Sequence, residues 1–496
     1  MNKISFRQAL LIAIGSSIGG GIYFKTDDVL MTSQGDVFLS TMGWIVLGGT
    51  FIFAGLAISI LANRTKRDGG LIAYMEDCFG EKVGFATGWF FAIFYSPSQI
   101  AILAWVTATY GLQIFNFNSE NIGVNGFYIV IFLTLVAMFT WNILSTKFAA
   151  LVSAFSTSVK LIPLLLIPIL AFIGLEPANF ANITEGTSYV ANNPEAIKMI
   201  TEAGLAYNPD ASWLTIFIGP LLAMAFTFDG WFTVGSLSVD MENPQKDLAK
   251  VFTISLSVVT FVYAVYHLGV NMLMPADEII IAGDAHVEYA VRALFGGIFG
   301  ESGGYAAAKV VIVIVTISVT GATNSFIMGA NRYVQALAEE GNFFNPQKYR
   351  KFSVKTGTPL SSALAQGLCT FVLLMAYYLQ EGHGWFSGIV IDELPVAFEA
   401  VFFIPLMIAV IMIWTKDKSV GFFKGFIAPI VGTIGQVFIL FAFFTNNEQA
   451  VLYFIICIVV IIIGLIFKVA IFDKYRQTDE FKNQVPAMEL LEQQLK

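Results

Sequence analysis

Gly15, Gly19, Gly20 and Gly21 fall inside one apolar stretch, within GSSIGGGIYF (Gly15 to Phe24), and a later apolar stretch is interrupted by FTFDGW (Phe226 to Trp231). Glycine costs a helix interior about 1 kcal/mol relative to alanine, so the cluster breaks an apolar helix. Non-helical backbone at membrane depth is tolerated only where protein encloses it or it lines a cavity. N–H groups freed at Gly19, Gly20 and Gly21, flanked by Ser16 and Ile22 at the positive end of a half-helix, form a seat for a carboxylate. Carbonyls freed around Phe226, Thr227 and Asp229, with Gly230 beside them, lack intrahelical donors and suit an ammonium group. Together the two breaks describe a clamp for an α-amino acid. The alternative is that the glycines only let helices pack closely. Breaks at corresponding places in two halves of a chain favour the clamp.

Four ionisable residues interrupt apolar runs. Lys160 sits in FAALVSAFSTSVKLIPLLLIPIL, about 20 Å from the cytoplasmic end of that span, where a charge costs at least about 2.5 to 3.5 kcal/mol and marks a functional position by default. A structural lysine anchored to carbonyls is the alternative. Asp229, inside the second break, is read as a half-helix cap before a substrate contact. Glu399, in LPVAFEAVFFIPL, could pair with a cationic substrate, carry a proton, or hydrogen-bond a neighbouring helix. His267 is read as an interhelical hydrogen-bonder. No Walker loop, zinc spacing or nucleophile elbow appears, so an enzyme, a metal and a cofactor are not expected. Cys78, Cys369 and Cys457 fit neither a disulfide framework nor a metal site.

These residues need membrane-spanning elements to hold them. Of 496 residues, 56% are hydrophobic and 12% charged, and the mean hydropathy is +0.73. Soluble domains carry about 25% charged residues. Windows of roughly 20 apolar residues place twelve spans, starting near Ser5, Phe38, Lys82, Gly126, Lys147, Trp213, Leu248, Tyr305, Leu360, Phe386, Gly421 and Ala450. Alternate connections collect the basic residues, among them Lys3, Arg64, Lys66, Arg67, Lys246, Lys348, Arg350 and Lys416, whereas the opposite set holds little beyond Lys25, Lys198 and Arg292. By the positive-inside rule both termini are cytoplasmic. The net charge of -8 implies little about partners, and no nucleic-acid partner is expected. Lys3 and Arg7 before an apolar run mimic a signal peptide, but no small-x-small cleavage site follows.

The polar insertion from Glu176 to Ser212 reads as an outer loop, and a second runs from Pro275 to Gly304, with a short helix expected over AHVEYAVRALFG (Ala285 to Gly296). The expected organisation is a first repeat over 1–175, an outer loop over 176–212, a second repeat of opposite orientation over 213–415, two further helices over 416–472 and a cytoplasmic tail over 473–496. The tail, ending in ELLEQQL, is read as a solvated helix or disordered segment. The fold class is therefore an all-α polytopic membrane protein of 12 helices, a five-plus-five inverted repeat with discontinuous helices 1 and 6.

GSSIGGGIYF resembles the first-helix signature of the amino acid, polyamine and organocation (APC) superfamily. GGLIAYMEDCFG, FDGWFTVGSLSVDMENP, GATNSFIMGANRYVQALAEEGNFF and GTPLSSAL resemble four later family segments, in order, out to Leu364. Asp240, Gly20 and Tyr23 depart from the usual Glu, Ser and Phe. The resemblance implies that Phe226 covers the substrate from outside, that Phe326 is a pocket aromatic and that Gln99 contacts substrate or bonds between helices. It also implies that Lys160 stands in for a sodium ion, with Ser318 or Thr320 and the backbone of Ile14 to Ser17 as partners. The expected function is sodium-independent transport of an amino acid by alternating access, as exchanger or proton symporter, in the plasma membrane. A polyamine or amine antiporter and a non-transporting amino acid sensor are the alternatives. The expected partners are a small amino acid or amine and the lipid bilayer; oligomeric state is left open.

Overall fold

Ser5 starts the first helix: its hydroxyl accepts the Gln8 N–H, and the Gln8 side chain accepts the Ser5 N–H. This reciprocal cap satisfies donors that a helix start leaves over, and Phe6–Ser17 follows. The computed structural model describes residues 5–65, 70–173, 177–239, 241–385, 393–447, 449–485 and 487. Lys3, Lys66, Arg67, Gly69, Glu176, Asp240, Phe386 and the ELLEQQL end lie outside the described residues.

The first helix stops where Ile18 turns extended, at φ -89° and ψ 100°. It resumes as Gly21–Phe24 and continues as Thr26–Thr32, with a bend of 63° between Phe6–Phe24 and Thr26–Thr32. The second break follows Trp213–Ile218 and Leu221–Phe228: Asp229 turns to ψ 148° and Gly230 takes a φ of +85°. That backbone conformation strains any side chain. A 3-10 stretch, Trp231–Val239, carries the chain on.

Among the described residues, 10 helices are long and apolar enough to cross a membrane, or 11 with the bent pair. Trp213–Phe228 is a shorter apolar helix. The tenth expected span, read from Phe386, is described from Glu393 and runs as Glu393–Lys416. Pro244–Leu273 packs on Val37–Arg64, the His286–Glu339 helix on the third span, Glu81–Gln113, and Leu360–His383 on Ser119–Leu144. Each pairing joins elements at matching positions in the two halves of the chain.

Two segments differ from a plain loop reading. The first insertion forms Pro177–Thr184, Gly186–Asn192 and Pro194–Glu202, the last capped by the Asn193 side chain accepting the Glu195 N–H at 3.1 Å. The second forms Ala276–Ala282 and a 3-10 turn, Gly283–Ala285. Its expected short helix is the start of His286–Glu339, set off from the rest by Gly300 at φ +75°. Near the other end, Arg476 pairs with Glu81, Lys468 with Glu81 at 2.5 Å, and Arg350 donates to Val485 O at 2.8 Å. The described part of the tail is therefore docked on the ends of the spans.

Candidate substrate-binding site

The two breaks meet face to face. A Cβ placed on Gly21 would lie 2.9 Å from Thr227 Cα, and one on Gly230 would lie 3.4 Å from Ser16 O. Gly20 faces the eighth span, where an added Cβ would come within 2.4 Å of Val319 Cγ2. Gly20 and Gly21 are thus held by close packing, the alternative weighed from the sequence. Gly19 differs: an added Cβ would meet nothing nearer than Gly21 N at 3.9 Å. Ile22 is buried and Ser16 is exposed, its hydroxyl donating to Ala13 O at 3.1 Å.

The carbonyls at the second break are less free than their spacing suggests. Phe226 O accepts the Asp229 N–H at 3.2 Å. Thr227 O lies 3.2 Å from the Tyr263 hydroxyl, which also lies 2.9 Å from Ser17 O. One fully buried hydroxyl on Pro244–Leu273 therefore ties both broken helices together. Sequence reasoning misses Tyr263, because a tyrosine in FVYAVYHLGV has no spacing signal. The Asp229 carboxylate accepts the Gly230 N–H at 2.7 Å and the Tyr95 hydroxyl at 2.6 Å, a local cap reinforced from the third span. Tyr95 ends a π turn, Phe91–Tyr95, a distortion common at functional positions.

Lys160 links Thr146–Val159 to Leu161–Ile173. Its side chain is 3% exposed, and its ammonium donates to Gly15 O and Ile18 O. Those carbonyls flank the first break, so the charge sits on backbone that the break has freed. Tyr23 OH donates back to Lys160 O at 2.8 Å. The hydroxyls expected to share this charge do other things. Thr320 donates into its own helix at Thr316 O, 2.7 Å away, and Ser318 Oγ has no hydrogen-bond partner among the described residues. Ser318 contributes its carbonyl instead, accepting from Ser156 Oγ at 3.1 Å.

Aromatic and ionic side chains form a cover beside the two breaks. Phe226 is 5% exposed and lies 6.4 Å from the Phe24 ring, which meets Trp105 at 5.6 Å. Lys25 Nζ sits 5.3 Å from the centre of the Phe226 ring. The same ammonium pairs with Glu393 at 3.0 Å and Asp28 at 2.7 Å. The sequence reading uses Lys25 only for topology and passes over Glu393. A cavity of 590 Å³ shares Trp105 with this cover, and no residue of either break lines it. Gln99 is buried on the third span, Phe326 is half-buried on the eighth, and no ring contact links Phe326 to Phe226 among the described residues. Glu399 is buried on the tenth span. His267 bonds Ser40 Oγ at 2.9 Å, across two helices.

The comparisons with known proteins agree with this architecture. The chain is 28% identical over 337 residues to the serine/threonine exchanger SteT of Bacillus subtilis, an overlap covering 68% of each chain. It is 25% identical over 378 residues to the mouse Asc-type amino acid transporter 1, covering 75% of this chain and 64% of that one. It is 23% identical to the human cystine/glutamate transporter, covering 75% of this chain and 68% of that one. The amino acid permease family model matches residues 4–467, and the chain belongs to that family, within the APC superfamily.

Proposed function

We propose that this permease exchanges amino acids across the cell membrane without sodium, by alternating access around the two breaks. The observation that carries the reading is the Lys160 ammonium on Gly15 O and Ile18 O. A fixed cation already occupies carbonyls that a coupling ion would otherwise use, and it tethers the first broken helix to the fifth span. The substrate is an α-amino acid: its carboxylate takes the backbone N–H groups around Gly19, and its ammonium the polar edge of the second break. Relatives named as a serine/threonine exchanger and as amino acid transporters support the class. In this reading Trp213–Phe228 and its 3-10 continuation form a twelfth crossing, the spans form two inverted repeats, and both termini are cytoplasmic.

Purified protein in proteoliposomes tests it. Labelled L-serine or L-leucine should enter when unlabelled amino acid is inside and should enter equally well when choline replaces sodium. Lys160→Ala should lower the exchange rate at least tenfold. Uptake strictly dependent on sodium, or a fully active Lys160→Ala, would overturn the mechanism.

A further inference from the structure

The second break holds more acid than a substrate clamp needs. Asp229 Oδ1 is fully used by Tyr95 and Gly230, but Asp229 Oδ2 is buried with no hydrogen-bond partner among the described residues, and so is Glu399 Oε1. Glu399 is 4% exposed. Its helix lies against this break: Phe403, one turn on and on the same face, meets Trp231 at 5.0 Å and Phe232 at 5.5 Å. Phe402 meets Phe91, one turn before Tyr95, at 6.1 Å. Asp229 is the charged group that acts on Glu399 electrostatically. Tyr95 from the third span and Tyr333 from the eighth are the other titratable groups that feel both acids. Among the described residues neither carboxylate has a lysine, arginine or histidine ion-pair partner. Glu393, on the same helix as Glu399, is committed to Lys25.

Two like charges buried on packed elements in low dielectric are both disfavoured, and neutralising one relieves the other. The chemistry of the two orphan oxygens says how. An ammonium brings three donors, and a metal ion calls for a larger set of oxygen or nitrogen ligands; no group of three metal-ligating side chains exists among the described residues. A single proton turns one carboxyl into a donor, leaves the other as an acceptor and removes one of the two buried charges.

We propose that Asp229 and Glu399 together hold one exchangeable proton, taken up from water on one side of the membrane and released on the other as the second broken helix moves. Only an O–H bond forms and breaks. The pair links that helix to the tenth span when protonated and repels across the same gap when bare, so proton occupancy biases which arrangement the two elements adopt. That the proton travels with an amino acid rests on the transport reading; that the pair holds a proton does not.

The two parts are tested separately. Infrared difference spectra of the full chain in nanodiscs, between alkaline and acid buffer, should show a protonated-carboxyl stretch that is lost in Glu399→Gln and in Asp229→Asn. A band untouched by both substitutions would overturn the proposal. So would a band removed by putrescine or arginine at fixed pH, which would make the pair an ammonium seat. If the amide variants do not fold, Tyr95→Phe serves: it removes the donor that stabilises the Asp229 carboxylate, so the band should appear at higher pH, and an unmoved titration would count against the pair. In proteoliposomes carrying a lumenal pH dye, an inside-alkaline gradient should raise L-serine uptake several-fold and drive protons inward with it. Glu399→Gln should lose the proton-to-serine ratio whatever its rate. A wild-type flux indifferent to the gradient would overturn the coupling. No serine flux at all would count against the transport reading alone, because the infrared result stands without transport.

Discussion

At the scale of single residues, the three glycines of the first break are not equivalent. Gly21 faces backbone at Thr227 Cα, which cannot swing aside, whereas Gly19 faces open space. Gly21→Val should therefore wedge the broken helices apart, costing about 1–3 kcal/mol as overpacking does, and lower the thermal midpoint along with substrate affinity. Gly19→Ala should leave the midpoint unchanged and weaken affinity, because the methyl enters the space assigned to the carboxylate. Thermal shift with and without L-serine reads both effects; a Gly19→Ala protein with unaltered affinity would remove Gly19 from the seat. Tyr263→Phe takes a donor from Ser17 O and Thr227 O, and a buried acceptor left unsatisfied costs roughly 1–3 kcal/mol. That variant should lose stability and exchange together, while Tyr266→Phe should not lose exchange: its hydroxyl has no hydrogen-bond partner among the described residues.

At the scale of elements, what the chain makes legible is whatever is local. Four glycines in one apolar run mark the first break, and the Gly230 next to Asp229 marks the second, because a helix interrupted by such residues has lost its backbone bonding at that spot. Lys160 is legible for the same reason, as a charge in an otherwise apolar run. The closing cover is not. Lys25 and Glu393 stand 368 positions apart, and nothing near either predicts their pairing. The helices of the first insertion are hidden by polar composition, since short segments earn their helicity from docking more than from propensity. The cover makes its own prediction. Glu393→Gln removes the carboxylate charge from the cross-helix ion pair of the buried Lys25, and weakening a charge-assisted hydrogen bond by about 1 kcal/mol shifts a population several-fold. A cysteine at Trp105 should label several-fold faster in Glu393→Gln, and the charge swap Lys25→Glu with Glu393→Lys should slow it again. Equal labelling in all three would mean that the pair braces the fold without gating it.

At the scale of the whole molecule, the question is how many times the chain crosses. Ten long apolar helices and one bent pair make 11 among the described residues, an odd number that would put the termini on opposite sides. The shorter Trp213–Phe228 and the 3-10 turns after it decide the parity. If that segment turned back without crossing, the insertion bearing Lys198 would share a side with Lys246 and Lys250 at the start of Pro244–Leu273, and every later basic loop would change sides. Arg350, Lys416 and Lys418 would then face the side opposite to Arg64, although Arg64 pairs directly with Asp417. That ion pair holds the end of Val37–Arg64 against the end of Glu393–Lys416. A non-crossing sixth segment would separate them by a membrane, so the pair supports the proposed twelfth crossing. Single cysteines at Asn192 and Gln477, both exposed, placed in a chain cleared of Cys78, Cys369 and Cys457, turn the argument into a measurement. In intact cells an impermeant maleimide should label Asn192→Cys and spare Gln477→Cys until the membrane is opened. Labelling of the Gln477 site in intact cells, with or without the other, would reject the even count with cytoplasmic termini.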